Sequence, residues 1–234
     1  MNKSLISIAL LLASSTVFAE TEYPENPVLR PLTLTDSTVA MSGVLAWGEE
    51  KDETRGLLNL NVGYGFTDNL TLDFSGVKYR ILERSNNKTG LELAIGLGLR
   101  GFQESIYNGD AIAYGTDLNG KYVLDENIAM TFSLGYIKWD QEKQKNKDEY
   151  RYSIGMQTNV TKDWTATANY TYRDLKDFEQ KNAHEASISA NYAYSNNTDI
   201  GLFTRYSSFD AQENGYQRDR NFDRAVGVYV SYRF

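Results

Sequence analysis

The chain has no cysteine, a single histidine and only three prolines among its 234 residues. Without cysteine there is no disulfide framework, so stability must come from strand pairing and packing. Pro24, Pro27 and Pro31 all fall within residues 20–35. The rest of the chain is therefore free of the residue that removes ladder donors from a sheet. Long apolar runs are missing too. The stretch from Leu5 to Leu12 is too short to cross a bilayer as a helix, and no later stretch is continuously apolar for that length. Positive charge is scarce: 24 Lys and Arg stand against 31 Asp and Glu, a net charge of −7. Phosphate contacts need clustered Lys and Arg, so a pI of about 4.9 argues against nucleic acid as a partner. Mean hydropathy is −0.50, which taken alone reads as a soluble chain.

What is present follows an order along the chain. Lys3, the apolar run Leu5 to Leu12 and the small-x-small triplet Val17-Phe18-Ala19 form a secretory signal peptide over residues 1–19, with cleavage before Glu20. The proline-bearing residues 20–37 read as a lead-in to the folded part. From residue 38 onward, apolar and polar residues alternate with period two. Leu58, Leu60, Val62, Tyr64 and Phe66 share one face, opposed by Asn59, Asn61, Gly63 and Gly65. The same pattern recurs over 90–101, 150–160 and 164–173. Short polar turns at Asp36, Asp68, Asp125, Asp163 and Asn197 punctuate it. Longer charged connections are expected at Glu49 to Arg55, Gln141 to Asp148, Asp177 to Asn182 and Ala211 to Asp223. The 17 tyrosines suit an interface where the ring is buried and the hydroxyl stays wet.

The final nine residues carry the sharpest pattern. Val226, Val228, Val230, Tyr232 and Phe234 line one face of a strand that ends on an aromatic residue. This terminal strand, together with the signal peptide and the strand-and-turn rhythm, resembles bacterial outer-membrane β-barrels. The resemblance implies a Gram-negative outer-membrane location and a transmembrane, antiparallel, all-β, up-and-down barrel over residues 38–234. In such a barrel lipid-facing and lumen-facing residues alternate, which explains the low hydropathy. It also implies short turns and both termini on the periplasmic side, and outer-membrane lipid and lipopolysaccharide as surroundings. The barrel-assembly machinery would read the strand of Val230, Tyr232 and Phe234. Eleven strand-like stretches can be counted, whereas single-chain bacterial barrels need an even number. Ten or twelve strands both remain, with twelve preferred. The fault lies in residues 70–124: either residues 26–35 add a strand, or that region pairs differently.

Charges on inward faces define the candidate site. Asp73, Glu92, Arg100, Asp117, Lys121, Arg151, Arg173 and Arg205 would line the lumen. Arginines concentrate in the C-terminal half and acids in the N-terminal half, with Arg100 and Lys121 as exceptions. Opposed walls of this kind would set up a transverse field in a water-filled constriction. The alternative is that the charges pair and fill a narrow lumen. These two outcomes correspond to a narrow porin-like channel for small polar solutes and to a structural or surface-recognition barrel. A third, remote reading is a rim hydrolase using His184. Glu185 and Ser187 fall on the face opposite His184, so any catalytic partner must come from another strand. The sequence calls for no cofactor and no metal, because its acidic groups lack the spacing of a calcium loop.

Overall fold

The computed structural model describes residues 24–50, 53–85, 88–104, 109–210, 213–215 and 222–234. The expected signal peptide, residues 1–19, lies outside the described residues. Apart from one 3-10 turn at Pro27–Leu29, the regular structure described is strand. The strands are β1 (Val39–Glu50), β2 (Glu53–Thr67), β3 (Leu70–Asp73), β4 (Gly76–Leu82), β5 (Gly90–Gln103) and β6 (Ala111–Asp125). They continue as β7 (Ile128–Gln141), β8 (Lys147–Asn159), β9 (Trp164–Lys176), β10 (Asn182–Ser195), β11 (Thr198–Ser207) and β12 (Arg224–Arg233). Every strand pairs antiparallel with its neighbours, and β12 returns to β1 to close the barrel. The closing ladder runs from Ala40↔Arg233 to Glu49↔Arg224. It is finished by reciprocal bonds between Val39 and Phe234, at 2.8 and 3.0 Å.

Twelve strands remove the parity fault, and they do so inside the stretch 70–82. That stretch is a short hairpin, β3 and β4, where a single strand was expected. Asp73 Oδ1 accepts from the backbone N–H of Ser75 and Gly76 at 2.7 and 2.8 Å, and from the Ser75 hydroxyl at 2.6 Å. An aspartate that bonds the backbone two and three residues on imposes a turn. Phe74 continues the apolar alternation through that turn and so hides it. The hairpin tip presses on β5 at Gly98, where an added Cβ would lie 2.0 Å from the Ser75 carbonyl oxygen. Gly98 also has φ +153°. Residues 26–35 add no strand.

A second difference concerns the first expected long loop. Glu49 to Arg55 is largely paired strand, with Glu49↔Thr54 and Gly48↔Arg55 in register. The expected short turns do occur between β2 and β3, β6 and β7, β8 and β9, and β10 and β11. At one of them Asp125 Oδ1 accepts from Asn127 and Ile128 N–H. Outer-membrane barrels keep short turns toward the periplasm, so this end is the periplasmic one.

The apolar faces point outward. Leu58, Leu60, Leu97, Leu134, Ile154, Ile188 and Val228 are all exposed, as a lipid-facing band requires. Inside, three apolar clusters sit at the barrel's ends. Val28, Val123 and Ala129, with Leu29 beside them, lie at the periplasmic mouth. Ala111, Ala113, Ile137, Trp139, Leu175, Phe178, Ala183 and Phe209 fill one side of the outer end. Ala46, Phe222 and Ala225, backed by Leu57 and Phe203, occupy the other. The middle of the lumen is polar.

Candidate functional site: the lumen

Residues 24–38 are not a free lead-in but a segment seated across the periplasmic mouth. Its anchors come from strands far apart in the wall. Arg30 grips Asp199 of β11 through both terminal nitrogens, at 2.6 and 3.0 Å, and Arg233 of β12 reaches the same carboxylate at 2.7 Å. Lys121 Nζ of β6 donates to the carbonyls of Pro27 and Arg30 at 3.2 and 2.9 Å. Glu92 of β5 accepts from Leu32 N–H at 2.7 Å and from Arg84 Nε at 2.9 Å. Arg84 also donates to the Leu29 carbonyl at 2.7 Å. Proline cannot supply ladder donors, and this segment meets the barrel through carbonyls, side chains and single N–H groups such as those of Leu32 and Leu34, not through a strand ladder.

Above the segment lies a polar cavity of about 230 Å³. Arg100, Asp117, Asn119, Ser133, Arg151 and Glu185 contribute to its lining. Arg100 and Asn119 both donate to Asp117. A register shift between Leu99 and Gly101 leaves Arg100 inward and brings Gln103 inward beyond it, where it is buried.

The outer end of the lumen holds a buried ion cluster. Arg173 and Glu149 have no exposed side-chain surface. They meet through two bonds, Arg173 Nε and Nη2 donating to Glu149 at 2.6 and 3.1 Å. Arg151 Nε lies 2.5 Å from the same carboxylate, and Trp139 Nε1 donates to it at 3.0 Å. Arg173 continues to Glu185 at 2.9 Å, and Arg205 lies 3.1 Å from Glu185. The Phe209 ring covers the Arg173 guanidinium at 4.0 Å. A charge this deep is tolerable only when paired and hydrogen-bonded, and here it is both.

Seven of the eight expected lumen residues thus fall at three levels. Glu92 and Lys121 hold the mouth segment; Arg100, Asp117 and Arg151 surround the central cavity; Arg173 and Arg205 join the outer cluster. Asp73 caps the β3–β4 turn and lines a second cavity. The acids and arginines are not two facing walls, since each arginine above has a carboxylate close by. Face parity alone missed those partners, Glu149, Glu185 and Asp199. Glu149 shares a face with Arg151 two residues on, which is the signal that could have found it. His184 sits between Tyr170 and Tyr172, its Nδ1 2.6 Å from the Tyr170 hydroxyl. Both rings belong to the outward alternation, so His184 is directed away from the lumen.

Fold and lumen together define an outer-membrane β-barrel with a polar, partly filled interior. The chain belongs to the outer membrane protein beta-barrel domain family, whose profile it matches over residues 5–195. No curated protein matches the sequence. Among solved structures it is similar to the KdgM porin in complex with disordered oligogalacturonate. There the TM-score is 0.53 and the identity 13%, covering 84% of this chain and 99% of that one. The NanC porin aligns with a TM-score of 0.50 and 10% identity, covering 83% and 98%. A loop-deletion mutant of OmpT, an outer membrane protein of Vibrio cholerae, gives 0.49 and 11%, covering 85% and 100%. At these identities the likeness is one of fold.

Proposed function

We propose that this barrel is a narrow channel for small polar solutes, and that it works without catalysing a reaction. The observation that carries the reading is the central cavity. It is ringed by hydroxyl, amide and charged groups of the wall, and the segment across the periplasmic mouth is held without any strand ladder. Such a segment can move without unpairing any strand of the wall. KdgM and NanC are named as porins, which agrees with this reading. The filled outer cluster favours a second one, a non-conducting barrel whose outer loops meet lipopolysaccharide or a partner. In either case the outward face of Val230, Tyr232 and Phe234 serves as the strand that the assembly machinery recognises.

Conductance in a planar bilayer separates the two. Refolded protein should give small single-channel steps, and removal of residues 24–34 should enlarge them. Those residues precede the Ser37–Gly65 backbone bond that fastens the start of β1, so the wall is retained. Silence from both well-folded proteins would overturn the channel.

A further inference from the structure

The wall of this barrel is not uniform. β2 is bonded to all of β1, from Val39↔Tyr64 to Glu50↔Glu53. On its other edge it is bonded to β3 only between Gly63 and Thr67. β5 likewise pairs with β4 only between Leu93 and Gly98, while continuing along β6 to Gln103. The β3–β4 hairpin stops partway up, and no ladder joins β2 to β5 above it among the described residues. The result is a notch in the outer half of the wall. It is bordered by Gly56–Val62 of β2, about 23 Å of strand at 3.3 Å per residue.

That notch lies in the lipid band. Leu58 and Leu60 on its β2 border are 66% and 65% exposed, and Phe74 at the hairpin tip is 76% exposed. Backbone edges at membrane depth are tolerated only where they are covered by protein or line a watered cavity. The inner side of the notch meets that condition at its lower end. A cavity of about 210 Å³ touches Asn61 and Gly63 of β2, Asp73 at the hairpin tip, and Lys78 of β4. Lys78 makes no ion pair among the described residues, whereas the arginines of the lumen are all paired. The surroundings therefore run from apolar outside, through an open sheet edge, to Lys78 inside, with the Asp73 carboxylate of the same cavity engaged in capping the β3–β4 turn. The cavity has room for one small head group with its waters, taking each water at roughly 30 Å³, and not for the head of a double-chain lipid.

We propose that the notch is a lateral portal that binds a single-chain anionic amphiphile, an alkyl carboxylate. Its chain lies between Leu60 and Phe74, and its carboxylate meets Lys78 in the lumen. The proposal rests on the wall and not on conduction along the axis, so a silent bilayer recording leaves it standing.

The test uses the lack of native cysteine. Asn61→Cys and Ser189→Cys each carry a small fluorophore on the lumen side, the first at the notch and the second on the unbroken wall of β10. Both proteins sit in discs of unbrominated lipid and are titrated with a dibrominated octadecanoate. Saturable quenching is expected at the first site and none at the second. Lys78→Gln should move the midpoint about tenfold upward, since it removes a charged hydrogen bond, and Lys78→Arg should restore it. Equal quenching at both sites, or none at the first, overturns the portal. A disulfide-linked dimer formed through Leu60→Cys would also overturn it, by assigning the open edge to a second copy. Retained heat-modifiable migration on gels shows that each variant is folded.

Discussion

Glu149 shows how much a single inward residue can hold. Its carboxylate serves Arg173, Arg151 and the Trp139 indole together, so removing its charge takes the bidentate partner from a guanidinium that has no exposed surface and leaves it Glu185, which Arg205 shares. Breaking a buried pair by deleting one partner costs about 3–5 kcal/mol. Glu149→Gln should therefore lower unfolding stability by about 3 kcal/mol or more, measured as the denaturant midpoint of the refolded barrel. Lys145 and Asp177 make the contrast. They lie 3.3 Å apart but are 82% and 50% exposed, and exposed pairs contribute about 0–1 kcal/mol. Lys145→Gln should leave the midpoint almost unmoved. Equal effects from the two substitutions would mean that the outer cluster is hydrated and not buried.

At the scale of elements, the β3–β4 hairpin and the mouth segment are held by few contacts, and each gives a measurable outcome. Gly98→Ala places a Cβ against the Ser75 carbonyl, which should push the tip away and break the 2.6 Å bond from Leu99 N–H to Ser75. Overpacking of this kind costs about 1–3 kcal/mol. Hydrogen exchange should rise at Leu99 and stay unchanged along β7 to β9; uniform loss of protection would contradict a local role. Asp199→Asn removes the carboxylate that Arg30 and Arg233 share. A charged hydrogen bond contributes about 1.5–3 kcal/mol, so cleavage by thermolysin at the Val28–Leu29 bond of the released segment should speed up by about tenfold to a hundredfold. These two elements are also where the sequence was least legible. Long strands such as β2 and β8 announce themselves, because period-two alternation over a dozen residues has no competing explanation. The hairpin escaped notice because Phe74 keeps the alternation going through its turn. The mouth segment could be placed before β1 from its prolines, but its partners on β5, β6 and β11 are set by barrel closure, which local pattern does not encode. In the lumen the missing information was register: parity found Arg173, while the β8–β9 and β9–β10 pairings bring Glu149 and Glu185 against it.

For the whole molecule, charge inside and charge outside have opposite balance. The chain carries a net −7, yet four of the inward carboxylates each face two arginines. Glu92 meets Arg80 and Arg84, Glu149 meets Arg151 and Arg173, and Asp199 meets Arg30 and Arg233. Glu185 is shared by Arg173 and Arg205, and Lys121 gives its protons to carbonyl oxygens. The acidic excess therefore belongs to the loops and rims, and the lumen is a cationic tube inside an acidic shell. Low-dielectric walls focus such a field along the axis. A conducting barrel should then prefer anions: under a potassium chloride gradient the reversal potential should take the sign of chloride permeation. Screening decides how strongly. The Debye length is about 10 Å at 0.1 M salt and about 3 Å at 1 M, so the preference should be clear at the lower concentration and largely lost at the higher. Lys78→Glu, which reverses a lumen charge that makes no ion pair among the described residues, should move the reversal potential toward the cation value. Cation preference in the unsubstituted protein would mean that the acidic rims, and not the lumen, govern which ions enter.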